Sequence, residues 1–208
     1  MEREELIKRI IDEKGEKAVD DLIKLLDDED TQIKEIVSEA LFKLGEYSRG
    51  KLVKEFKRRL SNGKKNDITL LYIIDLLSDL GEKSIVKDLY STLSLYSFEE
   101  AELIIYEALA KLGEGEKVYD ILKYFLIEDA EKKKFGVQAA IALSYIDKPE
   151  VVDDLVKAID SGDYSGEDLD VLKKALSNVV MGNSIYYGIL KKLVGEDVEK
   201  YLGDEYDI

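Results

Sequence analysis

The residues best able to do chemistry in this chain are carboxylates, which stand in pairs and runs: Asp20-Asp21, Asp27 to Asp30, Glu99-Glu100 and Asp153-Asp154. Two carboxyls act as general acid and base when one of them lies in an apolar pocket that raises its pKa. No stretch isolates such a residue, and 46 acidic residues in 208 produce pairs by composition alone. The run Asp27-Asp28-Glu29-Asp30 offers the oxygen ligands a hard cation takes. It lacks the glycine and the spaced ligands of a calcium loop, so the pattern assigns Asp30 to capping a helix instead. Cysteine and histidine are both absent, which removes thiolate chemistry, the commonest zinc ligands and the commonest general base. The nucleophile pattern G-x-S-x-G does not occur, and Gly113 to Glu116, GEGE, sets carboxylates where a phosphate would have to approach. These observations predict no catalytic residue, no metal site and no cofactor.

The second chemical feature is a positive island. Residues 49–66, RGKLVKEFKRRLSNGKKN, hold Arg49, Lys51, Lys54, Lys57, Arg58, Arg59, Lys64 and Lys65 against one acid, a local charge of +7 in a chain of net charge -15. Such a run is either a solvated face that offsets acidic neighbours or a site for phosphate, nucleic acid or an acidic partner. Thirteen tyrosines without a tryptophan fall mostly on or beside apolar stripes, as core wedges or interface anchors.

Those side chains are positioned by a unit that recurs. Residues 22–45, LIKLLDDEDTQIKEIVSEALFKLG, read as two amphipathic helices around an acidic turn. The stripe Val19, Leu22, Leu26 returns as Val53, Phe56, Leu60; Val86, Leu89, Leu93; Tyr119, Leu122, Leu126; Val152, Leu155, Ile159; and Tyr186, Ile189, Leu193, with a period of 33 or 34 residues. The second helix repeats as well: Val37, Ala40, Leu41, Leu44, Gly45 matches Ile73, Leu76, Leu77, Leu80, Gly81 and Ile105, Ala108, Leu109, Leu112, Gly113. The glycines predict a positive φ that ends each helix. One such helix pair cannot bury both of its apolar faces, whereas stacked pairs share a continuous core. Residues 2–14 add an N-terminal capping helix that stops at Gly15. The expectation is one all-α domain over residues 1–208, with five helix pairs and a partial sixth.

The balance of 46 acidic against 31 basic residues disfavours broad attraction to nucleic acid or anionic lipid. No apolar run spans a bilayer and the start MEREELIKRI is too charged for a secretory signal, so a cytoplasmic location is expected. Two glutamines and four asparagines beside abundant Glu and Lys form a bias associated with growth at high temperature.

Leu22, Leu25, Leu26, Asp28, Asp30, Ile33, Lys34, Val37, Ala40, Leu41, Leu44 and Gly45 resemble the HEAT repeat, in the short form of bilin-lyase-type and archaeal proteins. The usual proline of the turn is missing, since Thr31 follows Asp30. The resemblance implies a right-handed α-α superhelix whose second helices line a concave face. On that basis three columns face outward: Glu35, Leu71, Leu103, Val137; Ser38, Ile74, Tyr106, Ala140; and Glu39, Asp75, Glu107, Ile141. The apolar members either pack between helices or form a groove for a basic or amphipathic helical segment of another protein. The resemblance therefore implies a non-enzymatic protein-binding scaffold. The alternatives are a nucleic-acid-associated protein acting through residues 49–65, and a HEAT-like lyase or chaperone for a bound cofactor. Oligomeric state is left open.

Overall fold

The computed structural model describes residues 3–203, and every regular element among them is a helix. The chain forms two compact units, Met1–Ala108 and Leu109–Ile208.

The first unit holds α1 (Arg3–Lys14), α2 (Val19–Leu25), α3 (Thr31–Lys43), α4 (Glu46–Asn62), α5 (Ile68–Asp79), α6 (Val86–Thr92) and α7 (Glu99–Leu109), whose last residue crosses the division. Here α2 pairs with α3 and α4 with α5, while α2 also packs on α4 and α3 on α5. First helices thus form one row and second helices another, and α1 joins the second row by packing on α3. The other unit holds α8 (Gly115–Lys123), α9 (Lys132–Leu143), α10 (Glu150–Asp160), α11 (Glu167–Gly182) and α12 (Ser184–Val194). It repeats the arrangement: α8 pairs with α9 and α10 with α11, α9 packs on α11, and α12 packs on both α10 and α11.

The acidic turn behaves as its chemistry requires. Asp30 has extended backbone and its Oδ1 accepts the Gln32 backbone N–H at 2.8 Å, satisfying one of the donors left open at the start of α3. Gly45, Gly81 and Gly113 adopt φ of 52°, 68° and 96° where α3, α5 and α7 give way to the next pair. The second-helix stripe is buried in every copy, through Val37, Ala40 and Leu41, then Ile73, Leu76 and Leu77, then Ile105, Ala108 and Leu109, then Ala139, Ala142 and Leu143, then Leu172, Ala175 and Leu176.

Of the expected first-helix stripe, Val19, Leu22, Leu26, Phe56, Leu89, Tyr119, Leu122, Leu126, Val152 and Leu155 are buried, but in α4 and α6 the outer positions fall one residue earlier. Buried positions run Leu52, Phe56, Arg59; Ile85, Leu89, Thr92; Val118, Leu122, Phe125; and Val151, Leu155, Ala158. Val53, Leu60, Val86, Leu93 and Ile159 are only half-buried. The spacing is i, i+4, i+7, and a search for apolar types alone passes over it because its third position holds an arginine and a threonine. In α12 the buried pair is Tyr186 and Leu190, whereas Ile189 is half-buried and Leu193 is 46% exposed.

Side-chain bonds follow the same period. Arg3 reaches Glu35 and Glu39, Lys51 reaches Asp20, and Asn66 reaches Ser97; in the other unit Lys148 reaches Glu116, Tyr164 the Leu126 carbonyl and Tyr186 Asp147. Partners stand 31 to 39 residues apart, one copy of the unit.

Candidate functional site

The outer side of the second helices in the first unit carries charge where the sequence places it and lacks the apolar groove. Glu35 is exposed and Glu39 half-buried, and the Arg3 guanidinium bridges them at 3.2 and 3.0 Å. Hydrogen bonds from Lys43 and Arg3 hold the Glu39 carboxyl below the usual carboxylate range. Asp75 is exposed, and Tyr106 and Glu107 are half-buried. Burial and the nearby Glu102 charge push the Tyr106 hydroxyl up.

Leu71, Ile74 and Leu103 are only 4%, 0% and 0% exposed, so they belong to the core and do not line a groove. The reason lies in α5, which packs on both α3 and α4 and therefore buries eight of its twelve residues. The apolar members of the columns are the positions turned toward those neighbours. What faces outward is a row of carboxylates with Tyr72, over whose ring the Lys34 ammonium lies at 5.8 Å, and Tyr106. In the second unit the corresponding α9 positions, Val137 and Ile141, are half-buried, and Ala140 is buried. Ser38 Oγ is enclosed without a hydrogen-bond partner.

The positive island lies on α4 and the turn after it, and much of it is neutralised locally. Arg49 pairs with Glu46 and at 3.6 Å with Glu82, Lys51 with Asp20 at 2.9 Å, and Arg58 with Glu55. Lys54, Lys57 and Lys64 are exposed, and Lys65 donates to the Ser94 carbonyl. Between α2 and α4 a cleft of about 710 Å³ is lined by Asp20, Asp27, Lys51, Lys54, Glu55 and Arg58, charges of both signs.

Arg59 is not part of a solvated face. It is 7% exposed and sits in the third core position of α4, where its guanidinium meets three carboxylates. Nε donates to Glu55 at 2.7 Å, Nη1 to Asp67 at 3.0 Å, and Nη2 to Asp27. Thr69 Oγ1 donates to the other Asp27 oxygen at 2.8 Å, and Tyr96 Oη to the Asp67 carbonyl at 2.8 Å. Burial opposes ionisation of Asp27, but the bonds from Arg59 and Thr69 outweigh it and hold its carboxyl low. The bond from Arg58 does the same for Glu55 against its own burial, with Arg59 adding to it. Burial works against the Arg59 charge, and the Asp27 and Asp67 bonds more than restore it. A planar five-donor fork is the one side chain that can bridge three acids in this way. The cluster joins the first repeat's turn to the second repeat's helix and turn, a structural clamp.

A second buried charge lies in the other unit. Asp154 is 1% exposed; the Tyr119 hydroxyl donates to its Oδ2 and Lys123 Nζ approaches Oδ1 at 3.1 Å. The Lys148 ammonium lies 4.6 Å from the Tyr119 ring centre. Burial and the Asp154 bond raise the Tyr119 pKa, which keeps the phenol protonated and suits a fixed donor, not a base. No group of three or more metal-ligating side chains able to hold an ion occurs among the described residues.

Sequence reasoning missed the Arg59 and Asp154 centres. The available signal for the first was an arginine in core register, with Glu55 one turn before it and Asp67 in the following turn. Comparison of the chain with protein-family models, with curated proteins and with solved structures finds no match.

Proposed function

We propose that the chain is a HEAT-like α-solenoid acting as a non-enzymatic scaffold, and that it presents the outer side of its second helices to a basic or amphipathic helical segment of another protein. The observation that carries this reading is the row Glu35, Glu39, Asp75 and Glu107, which recurs at the repeat spacing on α3, α5 and α7 while the apolar residues of the same helices turn inward. A row of carboxylates flanked by Tyr72 and Tyr106 gives complementary charge and rigid aromatic area to a cationic helix. The absence of Cys and His in the sequence agrees with a role that needs no nucleophile or general base.

Nucleic-acid contact through residues 49–65 has less support, because the chain as a whole carries a net charge of -15 and Arg59 is buried. A cofactor lyase or chaperone role rests on the repeat resemblance alone.

The test is crosslinking capture from cells of the source organism with the wild type and with E39K/D75K/E107K. Partners captured by the wild type should be lost from the reversed variant at unchanged helicity. Recovery of the same partners by a folded reversed variant sinks the acidic row as the binding face. A low-salt gel shift abolished by K54E/K57E/K64E would replace this reading with the nucleic-acid one.

A further inference from the structure

The third core position of the first helices reveals two open apolar faces. In the copies that begin with α4, α6, α8 and α10 this position is Arg59, Thr92, Phe125 and Ala158, with exposures of 7%, 0%, 3% and 3%. In α2 and α12 it is Leu25 and Leu193, exposed by 43% and 46%. The position is thus covered in these four copies and open, with a leucine in it, in α2 and α12. Neighbouring positions agree. Ile185 of α12 is 69% exposed, although the residues at its place in α10 and α4 are Glu150 and Lys51, and Met181 just before it is 62% exposed. In α1, Ile10 and Ile11 are half-buried, while their counterparts Ala40 and Leu41 in α3 are fully buried.

The two faces belong to different rows. The helix α1 stands in the row of second helices, packed on α3. The helix α12 stands in the row of first helices, and the turn that follows it, with Val198 and Leu202 buried, leaves Leu193 and Ile185 open. A first helix laid on the α1–α2 face and a second helix laid on α12 would cover these exposed side chains.

Charge points the same way. Residues 171–195 contain four lysines and no carboxylate, whereas residues 20–30, around Leu25, contain six carboxylates and one lysine. The whole chains repel, at -15 each, but at physiological ionic strength that repulsion is screened beyond about 8 Å and the local faces decide.

We propose that the α12 face of one copy docks head-to-tail on the α1–α2 face of a second copy, so that Leu193 and Ile185 are covered by α1 and α2 of the neighbour. The contact is heterologous: the two surfaces differ, and each copy has one of each.

Sedimentation velocity over a concentration series at physiological salt tests this. Wild type self-associates, I185E/L193E and L25E each weaken association at least about tenfold, and all three keep the same circular dichroism because the altered residues are already exposed. The decisive experiment is the mixture. I185E/L193E retains an intact α1–α2 face and L25E an intact α12 face, so together they form a one-to-one complex that neither forms alone. K191E/K192E weakens the contact by placing acid against acid. A wild type that stays monomeric, or a mixture that fails to associate, overturns the proposal. So does loss of association in I185E/L193E with none in L25E, which would mean a symmetric α12–α12 contact.

Discussion

Removing the Arg59 side chain should be among the most damaging single changes in the first unit, and its cost should depend on pH. In R59M the apolar stem is kept and the charge lost, leaving Asp67 and Asp27 without this cation and Glu55 with Arg58 alone. The three acids do not count equally. The Asp27 side chain is 54% exposed and its pairing is worth little, whereas Glu55 and Asp67 are 17% and 4% exposed. Breaking a buried pair by removing one partner destabilises by about 3–5 kcal/mol, because the remaining charge is uncompensated. With Asp67 stranded and Glu55 still held by Arg58, R59M should lose about 3 kcal/mol at pH 7.

The sign of the pH effect follows from the depressed carboxyls. In the wild type, Asp27 and Glu55 have folded pKa values below their unfolded ones. Their stabilisation is therefore present above the unfolded values, near pH 4, and is lost as pH falls through the folded ones. In R59M, stranded carboxyls relieve their charge by taking up protons, so acid helps the variant. Urea unfolding followed by circular dichroism should show the gap between the proteins narrowing from pH 7 to pH 4.5. Adding E55Q and D67N to R59M should recover much of the loss at pH 7. A gap that is independent of pH, or no recovery in the triple variant, would refute the electrostatic account and leave Arg59 as a packing residue.

Two further outcomes follow. A β-carbon built on Gly136 of α9 falls 1.9 Å from Tyr164 Oη, so G136A should destabilise the second unit by about 1–3 kcal/mol. Y164F should relieve part of that loss in the double variant, as read from thermal melts, although it gives up the bonds to the Leu126 and Lys132 carbonyls. Burial pushes Tyr164 and Tyr186 up to about 12, with the adjacent Asp163 and the bond to Asp147 adding to it respectively. An acid whose folded pKa is raised contributes stability that is intact below its unfolded value and lost as pH climbs above about 10. Tyrosinate absorbance should accordingly rise late and together with loss of helical dichroism, and an early, fully reversible titration of all tyrosines in the folded protein would contradict the burial.

The helices and their order were legible in the sequence because second-helix stripes such as Val37, Ala40, Leu41 and Gly45 recur with little variation, and apolar periodicity is a direct consequence of burial on one face. The Asp30 cap was equally legible, since local bonding decides it. Two things were not. In α4 and α6 the outer positions of the first-helix stripe were misplaced by one residue because Arg59 and Thr92 satisfy a core position through hydrogen bonds, which residue type alone does not show. The outward columns mixed true surface positions, such as Glu35 and Asp75, with Leu71, Ile74 and Leu103, because a helix flanked on two sides buries far more than one stripe. The open ends at Leu25 and Leu193 had no signal at all in residue type, as leucine is what the stripe demands.

The repeat-spaced bonding has a kinetic side. Arg3 finds both of its carboxylate partners by residue 39, Lys51 looks back to Asp20, and Lys148 to Glu116. Loop closures of this length are short on the scale of the chain, and folding is fast when partners are near in sequence. During synthesis each helix pair can dock and settle its polar groups once roughly one further repeat has left the ribosome, at about 5–20 residues per second. The nascent chain thus never has to hold more than about one apolar face open at a time.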